Sequence, residues 1–301
     1  MLKNGLGVVN VRFAAYCRCW PTEWSMRVAV CALALSSLAT AAHGDMPPEW
    51  VPLPRAPSER EARCGFIQQD FWYVYTVVGG IAIEPYRGDR SRQDWLPLDV
   101  EGAAPECEGK RVVVSVSDGW LVACDGGEFG GSLSWIARDT GTSKLLCRAN
   151  FPFLSPQEDG IIALAAATCA PRDGGRAYRV ESAEDGDWEL VEIADLGTAP
   201  TVVVRESRNS ILVGTWTGVW RVNAERAEQL VSGYTWRPTS LVLHPDGTVY
   251  MGMSHFVLRF SIREPSDATW FAPRECAIFR EGRQPWTCDC IPTSEDQPSG
   301  K

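Results

Sequence analysis

The sequence predicts an all-β protein: a small β-propeller of about five four-stranded blades, preceded by a secretory signal. Three observations predict it. Short β-branched or alternating runs are separated by Asp-Gly, Gly-Gly and Pro-Asp-Gly, the turn chemistry of hairpins. Two segments repeat without a gap at an offset of 38 residues, close to the period of a propeller blade. Helical periodicity is nearly missing, with residues 224–230 able to make two turns at most. Composition agrees, because 27 Gly, 20 Pro and 13 Trp in 301 residues make a turn-rich, aromatic-rich chain long enough for one large core or two small ones.

From the N-terminus, residues 28–39 (VAVCALALSSLA) form a short apolar run behind Met26 and Arg27, and small residues Ala41, Ala42 and Gly44 follow. A basic start, a short apolar core and a small-residue exit make residues 26–44 a signal peptide. The run is too short to span a bilayer comfortably, so stable membrane insertion is not expected. Residues 1–25 fit neither a signal nor a core element and read as an over-extended start. Residues 45–63 (from DMPPEW onward) are proline-rich and charged, an extended lead-in. The propeller is expected over 64–275. Residues 276–301 form a cysteine-containing segment with a polar, mobile tail.

Removing residues 1–44 takes away Lys3, Arg12, Arg18 and Arg27 against Glu23, so a net charge of −9 becomes −12. That balance argues against a nucleic-acid partner, which needs clustered basic surface. Of 11 cysteines, eight remain: Cys64, Cys107, Cys124, Cys147, Cys169, Cys276, Cys288 and Cys290. An even number in an exported chain points to disulfides. Zinc is the competing use, but no Cys-x-x-Cys pair exists and two histidines remain. Cys64 stands before the first blade and Cys276, Cys288 and Cys290 after the last, so a bond between these ends would close the ring. Cys124 and Cys169 occupy like positions and are candidates to bridge neighbouring blades.

The repeat reads PTVVVRESRNSILVGTWTGVWRVN from Pro200 and PTSLVLHPDGTVYMGMSHFVLRFS from Pro238. Each copy is a β-run, a polar turn, a second β-run ending near Gly214 or Gly252, a short loop and a third strand. Residues 228–231 and 269–271 supply fourth strands. Weaker copies lie at 111–136 and at 160–180 with 188–193, and 71–83 supplies the first. In that first copy Phe71, Trp72, Tyr73 and Tyr75 read as a buried strand. A β-sandwich with a chance duplication is the competing arrangement.

Residues 243–250 (LHPDGTVY) with 257–260 (VLRF) resemble the NHL-type propeller repeat. Residues 211–220 (ILVGTWTGVW) resemble the short blades of two-component-regulator sensor propellers. The resemblance implies that each blade's first strand lines a channel. The loops entering each blade, and those between its second and third strands, then share one face. This scheme gathers Asp125 and Glu128 from one loop, Arg172 and Asp173 from another, and Trp216 and His255 from the two clearest copies. Blade-entry loops add Asp159, Tyr234, Trp236 and Arg237. Carboxylates, arginines and aromatics on a concave face suit a small polar ligand or an unknown protein. No G-x-S-x-G elbow is present, and His244 in His-Pro-Asp-Gly is a turn residue, which leaves His255 as the better candidate and nucleophilic catalysis poorly supported. The expectation is a secreted or periplasmic, non-catalytic binding protein without a cofactor. The alternative is a lactonase-like propeller hydrolase, with a divalent metal held by Asp125, Glu128 and Asp159.

Overall fold

A computed structural model describes residues 46–57, 71–78, 80–86, 106–127, 130–166, 174–183 and 187–274, all within the compact unit Gly44–Lys301. The expected signal and over-extended start lie outside these residues. So do Glu128, Arg172, Asp173, Cys64, Cys169, Cys276, Cys288 and Cys290. The described secondary structure is nineteen strands and one 3₁₀ turn, Pro265–Asp267.

The strands form five antiparallel sheets. In chain order, β1 (Trp50–Pro52) precedes a two-stranded sheet of β2 (Trp72–Val77) and β3 (Gly80–Pro85). The next sheet is β4 (Lys110–Val116), β5 (Gly119–Asp125), β6 (Gly131–Ala137) and β7 (Ser143–Cys147). Then come β8 (Phe153–Gln157), β9 (Gly160–Ala165), β10 (Arg176–Ser182) and β11 (Trp188–Asp195). A fourth sheet holds β12 (Pro200–Arg205), β13 (Ile211–Thr215), β14 (Gly218–Val222) and β15 (Ala227–Ser232). The last is β16 (Pro238–Leu243), β17 (Thr248–Met253), β18 (Val257–Ser261) and β19 (Thr269–Pro273), with β1 added outside β19.

Burial explains the strand sequences. The second strand of each four-stranded meander is covered on both faces, so it reads as an unbroken apolar or small run: GWLVACD, GIIALA, ILVGT and TVYMGM. In β9, Ile161, Ala163 and Ala165 pack toward the preceding sheet, while Ile162 and Leu164 pack toward the following one. In β13, Leu212 joins the core shared with the last sheet, and Ile211 and Val213 face back. Outer strands such as β7 and β15 are more open, mixing exposed and half-buried positions with one buried residue each. Residues 227–230, the one stretch with helical potential, belong to β15. Consecutive sheets thus pack face to face, and Val74 and Ile81 of the β2–β3 hairpin pack on Tyr250, Val257 and Phe271 of the last sheet. This is an arrangement consistent with a propeller.

The 38-residue offset has a geometric counterpart. The β12–β13 ladder slips between Pro200 and Val202, and the β16–β17 ladder slips between Pro238 and Ser240. A Cβ on Gly214 would lie 2.6 Å from a Val202 methyl and 3.3 Å from the Pro238 ring of the next sheet. A Cβ on Gly252 would lie 2.3 Å from the carbonyl oxygen of Trp72. Strand β2 therefore covers the last sheet as β16 covers the fourth. The Thr239 hydroxyl donates to the Trp72 carbonyl, and the Val74 N–H donates to Ser240 Oγ at 2.8 Å.

Three expectations change. Cys124 bonds to Cys107, with Cα atoms 5.7 Å apart, rather than to Cys169. The register that pairs Lys110 with Asp125 sets the segment before β4 beside the end of β5. Cys147 is also in a disulfide, whose partner lies outside the described residues. The third sheet starts earlier than expected, with β8, because Pro156 sits on its innermost strand, where an edge tolerates a missing N–H. Finally, the lead-in is not merely extended, since Trp50–Pro52 pairs with Phe271–Pro273.

Candidate site: a central cavity at the entry face

The first strands of the five sheets surround one cavity of about 650 Å³. Its walls come from β2 (Tyr73 to Thr76), β12 (Pro200 to Val203) and β16 (Pro238 to Val242), with Lys110 from β4 and Phe153 from β8. Its rim is formed where first strands begin and second strands end: Phe71, Tyr86, Asp125, Trp216 and Arg237.

Local chemistry places each rim group. Asp125, half-buried at the end of β5, accepts a hydrogen bond from the Gly127 N–H at 3.1 Å. The loop that follows is clamped by Asn150, which accepts from the Gly126 N–H at 3.2 Å and donates to the Gly127 carbonyl at 2.6 Å. Lys110 holds its ammonium 4.9 Å from the centroid of the Phe153 ring, a cation–π contact. Trp216 rides on a tight loop in which the buried Thr215 hydroxyl donates to the Gly218 carbonyl at 3.0 Å and accepts from its N–H at 3.1 Å. Trp216 as a whole remains 36% exposed. Arg237, exposed, directly precedes the proline that opens β16. Phe71 and Tyr73 each contact the Tyr86 ring, at 6.4 and 6.3 Å between centroids.

Of the residues proposed from sequence, Asp125, Trp216 and Arg237 meet at this cavity. Tyr234 and Trp236 do not. Their rings stack 6.2 Å apart and pack on Trp270 inside the core between the last two sheets. The Tyr234 hydroxyl donates to the Thr215 carbonyl at 3.3 Å, and burial pushes its pKa well above the ordinary value, leaving it a neutral donor. His255 is buried with a φ of 58°, in a loop whose preceding residue, Ser254, is bridged to Phe71. The start of β2 thus covers the loop that would otherwise present it.

Asp159 lies in the turn joining the first and second strands of its sheet, at the end opposite Asp125. There it accepts a hydrogen bond from the Asn209 side chain at 2.7 Å, and Glu158 pairs with Arg208 at 3.1 Å. The carboxylates of Asp125 and Asp159 therefore do not converge, and Glu128, the third member of the expected metal set, lies outside the described residues. Among the described residues no cluster of three His, Cys, Asp or Glu is placed to hold a metal. His244 sits in its turn as expected, 3.0 Å from Asp246.

Sequence reasoning missed Lys110, Phe153, Tyr73, Tyr75 and Tyr86. Alternation was the available signal in the first hairpin: Val74 is buried, while Tyr73 and Tyr75, two apart, are half-buried on the cavity side. The whole run had been assigned to the interior.

No protein-family model matches the chain, and no curated protein matches it. Solved structures give partial likenesses. The computationally designed Ika4 protein is 14% identical at a TM-score of 0.35, over 52% of this chain and 94% of that one. The extracellular domain of a hybrid two-component system from B. thetaiotaomicron is 12% identical at 0.35, over 65% of this chain and 27% of that one. A catalytically inactive virginiamycin B lyase from Staphylococcus aureus, with quinupristin, is 12% identical at 0.32, over 55% and 61%. The fold described above rests on strand pairing and core packing, independently of these likenesses. Among the described residues no helix is long and apolar enough to cross a membrane.

Proposed function

We propose that the chain is an exported, non-catalytic binding protein, a five-bladed propeller that takes a small polar ligand into its central cavity at the rim of Trp216 and Arg237. One observation carries the reading: side chains from all five sheets reach a cavity of about 650 Å³, within the range of ligand pockets. The disulfides at Cys107–Cys124 and at Cys147 support an oxidising compartment. The blade-like repeats, similar to the NHL type, support the count of five.

The test is a thermal-shift screen of sugars, amino acids, organic acids and amines on wild type, Trp216→Ala and Arg237→Ala. A ligand present at about 100 times its Kd stabilises by about 2.7 kcal/mol, a clear rise in Tm. At least one compound should stabilise the wild type and fail to stabilise both variants. Stabilisation that survives both substitutions would place the ligand elsewhere.

A further inference from the structure

We infer that the cavity is built for a small organic anion with a flat body, an aromatic carboxylate held between the cations and the ring faces of its rim. The inference rests on the cavity being a ligand site and adds the ligand's chemistry. The chain is acidic overall, with a formal charge of −9, yet the described groups lining the cavity include two cations and one carboxylate. Lys110 and Arg237 make no ion pair among the described residues. Lys110 instead lies over the Phe153 ring, and the one lining carboxylate, Asp125, is held by the Gly127 N–H.

Both cations stand where first strands begin, so with Asp125 the rim carries two positive charges against one negative. Ring faces share that rim: the Tyr73 and Tyr86 rings are inclined by 27°, and Trp216 is part-exposed. Deeper along the first strands the wall continues with Tyr75, Val203 and Leu241. Cationic donors and ring faces side by side complement a molecule with a charged end and a planar end.

The experiment is isothermal titration of the purified protein with three matched sets: benzoate and indole-3-acetate, their primary amides, and benzylamine and tryptamine. Carboxylates should bind at least about tenfold more tightly than their amides, since a hydrogen bond to a charged group is worth that much or more. Amines should be weaker still. Arg237→Gln and Lys110→Gln should each weaken carboxylate binding about tenfold and leave amide binding unchanged, and Arg237→Lys should restore part of the loss. Amides or amines binding as tightly as carboxylates, or Gln variants that bind carboxylates normally, would overturn the charge assignment while the cavity stays a ligand site. Silence of all three sets up to about 10 mM, well above a millimolar Kd, overturns the aromatic-carboxylate assignment, while the cavity as a ligand site stands or falls on the wider thermal-shift screen.

Discussion

Gly214 and Gly252 are where neighbouring sheets touch without room for a side chain, and they differ in what blocks it. At Gly214 a Cβ meets a Val202 methyl and, at 3.2 Å, the Met251 sulfur, both of which can shift. At Gly252 it meets the Trp72 backbone carbonyl at 2.3 Å, which cannot move without shifting β2. Overpacking costs about 1–3 kcal/mol, so Gly214→Ala should fall near the bottom of that range and Gly252→Ala at or above its top. Equilibrium urea unfolding measures both, and equal costs would contradict the close approach of β2 to the last sheet. The two glycines were visible as a repeat, but their reason was not, because the blocking atom at Gly252 lies far away in the chain. Tyr234 and Trp236 show the same limit. They sit among Ser, Gly, Thr and Arg and read as loop aromatics. The one hint of burial was their spacing of two, with Thr235 and Arg237 exposed between and after them.

At the scale of strands, those in the clear repeats were read nearly to the residue. The expected fourth strands at 228–231 and 269–271 became Ala227–Ser232 and Thr269–Pro273. Strand β8 was missed because Phe-Leu-Ser-Pro-Gln breaks the β-branched pattern, and the edge position that tolerates Pro156 is a property of the sheet, not of the segment. That omission moved Asp159 to the wrong face. The Cys107–Cys124 bond was equally hidden, since eight cysteines allow 105 connectivities. It pins the segment that opens β4 to the end of β5, the two places where Lys110 and Asp125 reach the cavity. With its ends 17 positions apart in sequence, its loss in a Cys107→Ala, Cys124→Ala protein should cost about 3 kcal/mol in the chain-entropy model. Urea unfolding of the double variant reads that cost, and non-reducing peptide mapping of the wild type should recover Cys107 with Cys124. A double variant as stable as wild type would mean that native contacts alone hold these strands together.

Closing a ring of sheets requires the two ends of the chain to meet, and the sequence suggested cysteines for the task. Those cysteines lie outside the described residues; among the described ones, the N-terminal strand joins the last sheet by strand addition. Strand β1 lies along β19, with the Leu53 N–H donating to the Trp270 carbonyl and the Arg274 N–H to the Glu49 carbonyl, each at 2.7 Å. Trp50 makes this strand more than an edge. Its ring is buried and stands 4.9 Å from Trp72 at 87°, so one side chain touches both the first hairpin and the last sheet. Three residues of pairing are too short to hold alone, and the anchor is therefore the indole. Trp50→Ala should cost about 3–5 kcal/mol, the usual range for emptying a buried aromatic site. The loss should be local before it is global. Amide exchange at Leu53 and Arg274 should accelerate first, followed by Val74 across the seam with Ser240, while β5 and β9 in the middle of the ring stay protected. Exchange that rises evenly over all five sheets in the variant would show that Trp50 supports the core as a whole, and that the seam between first and last sheets is held by something else.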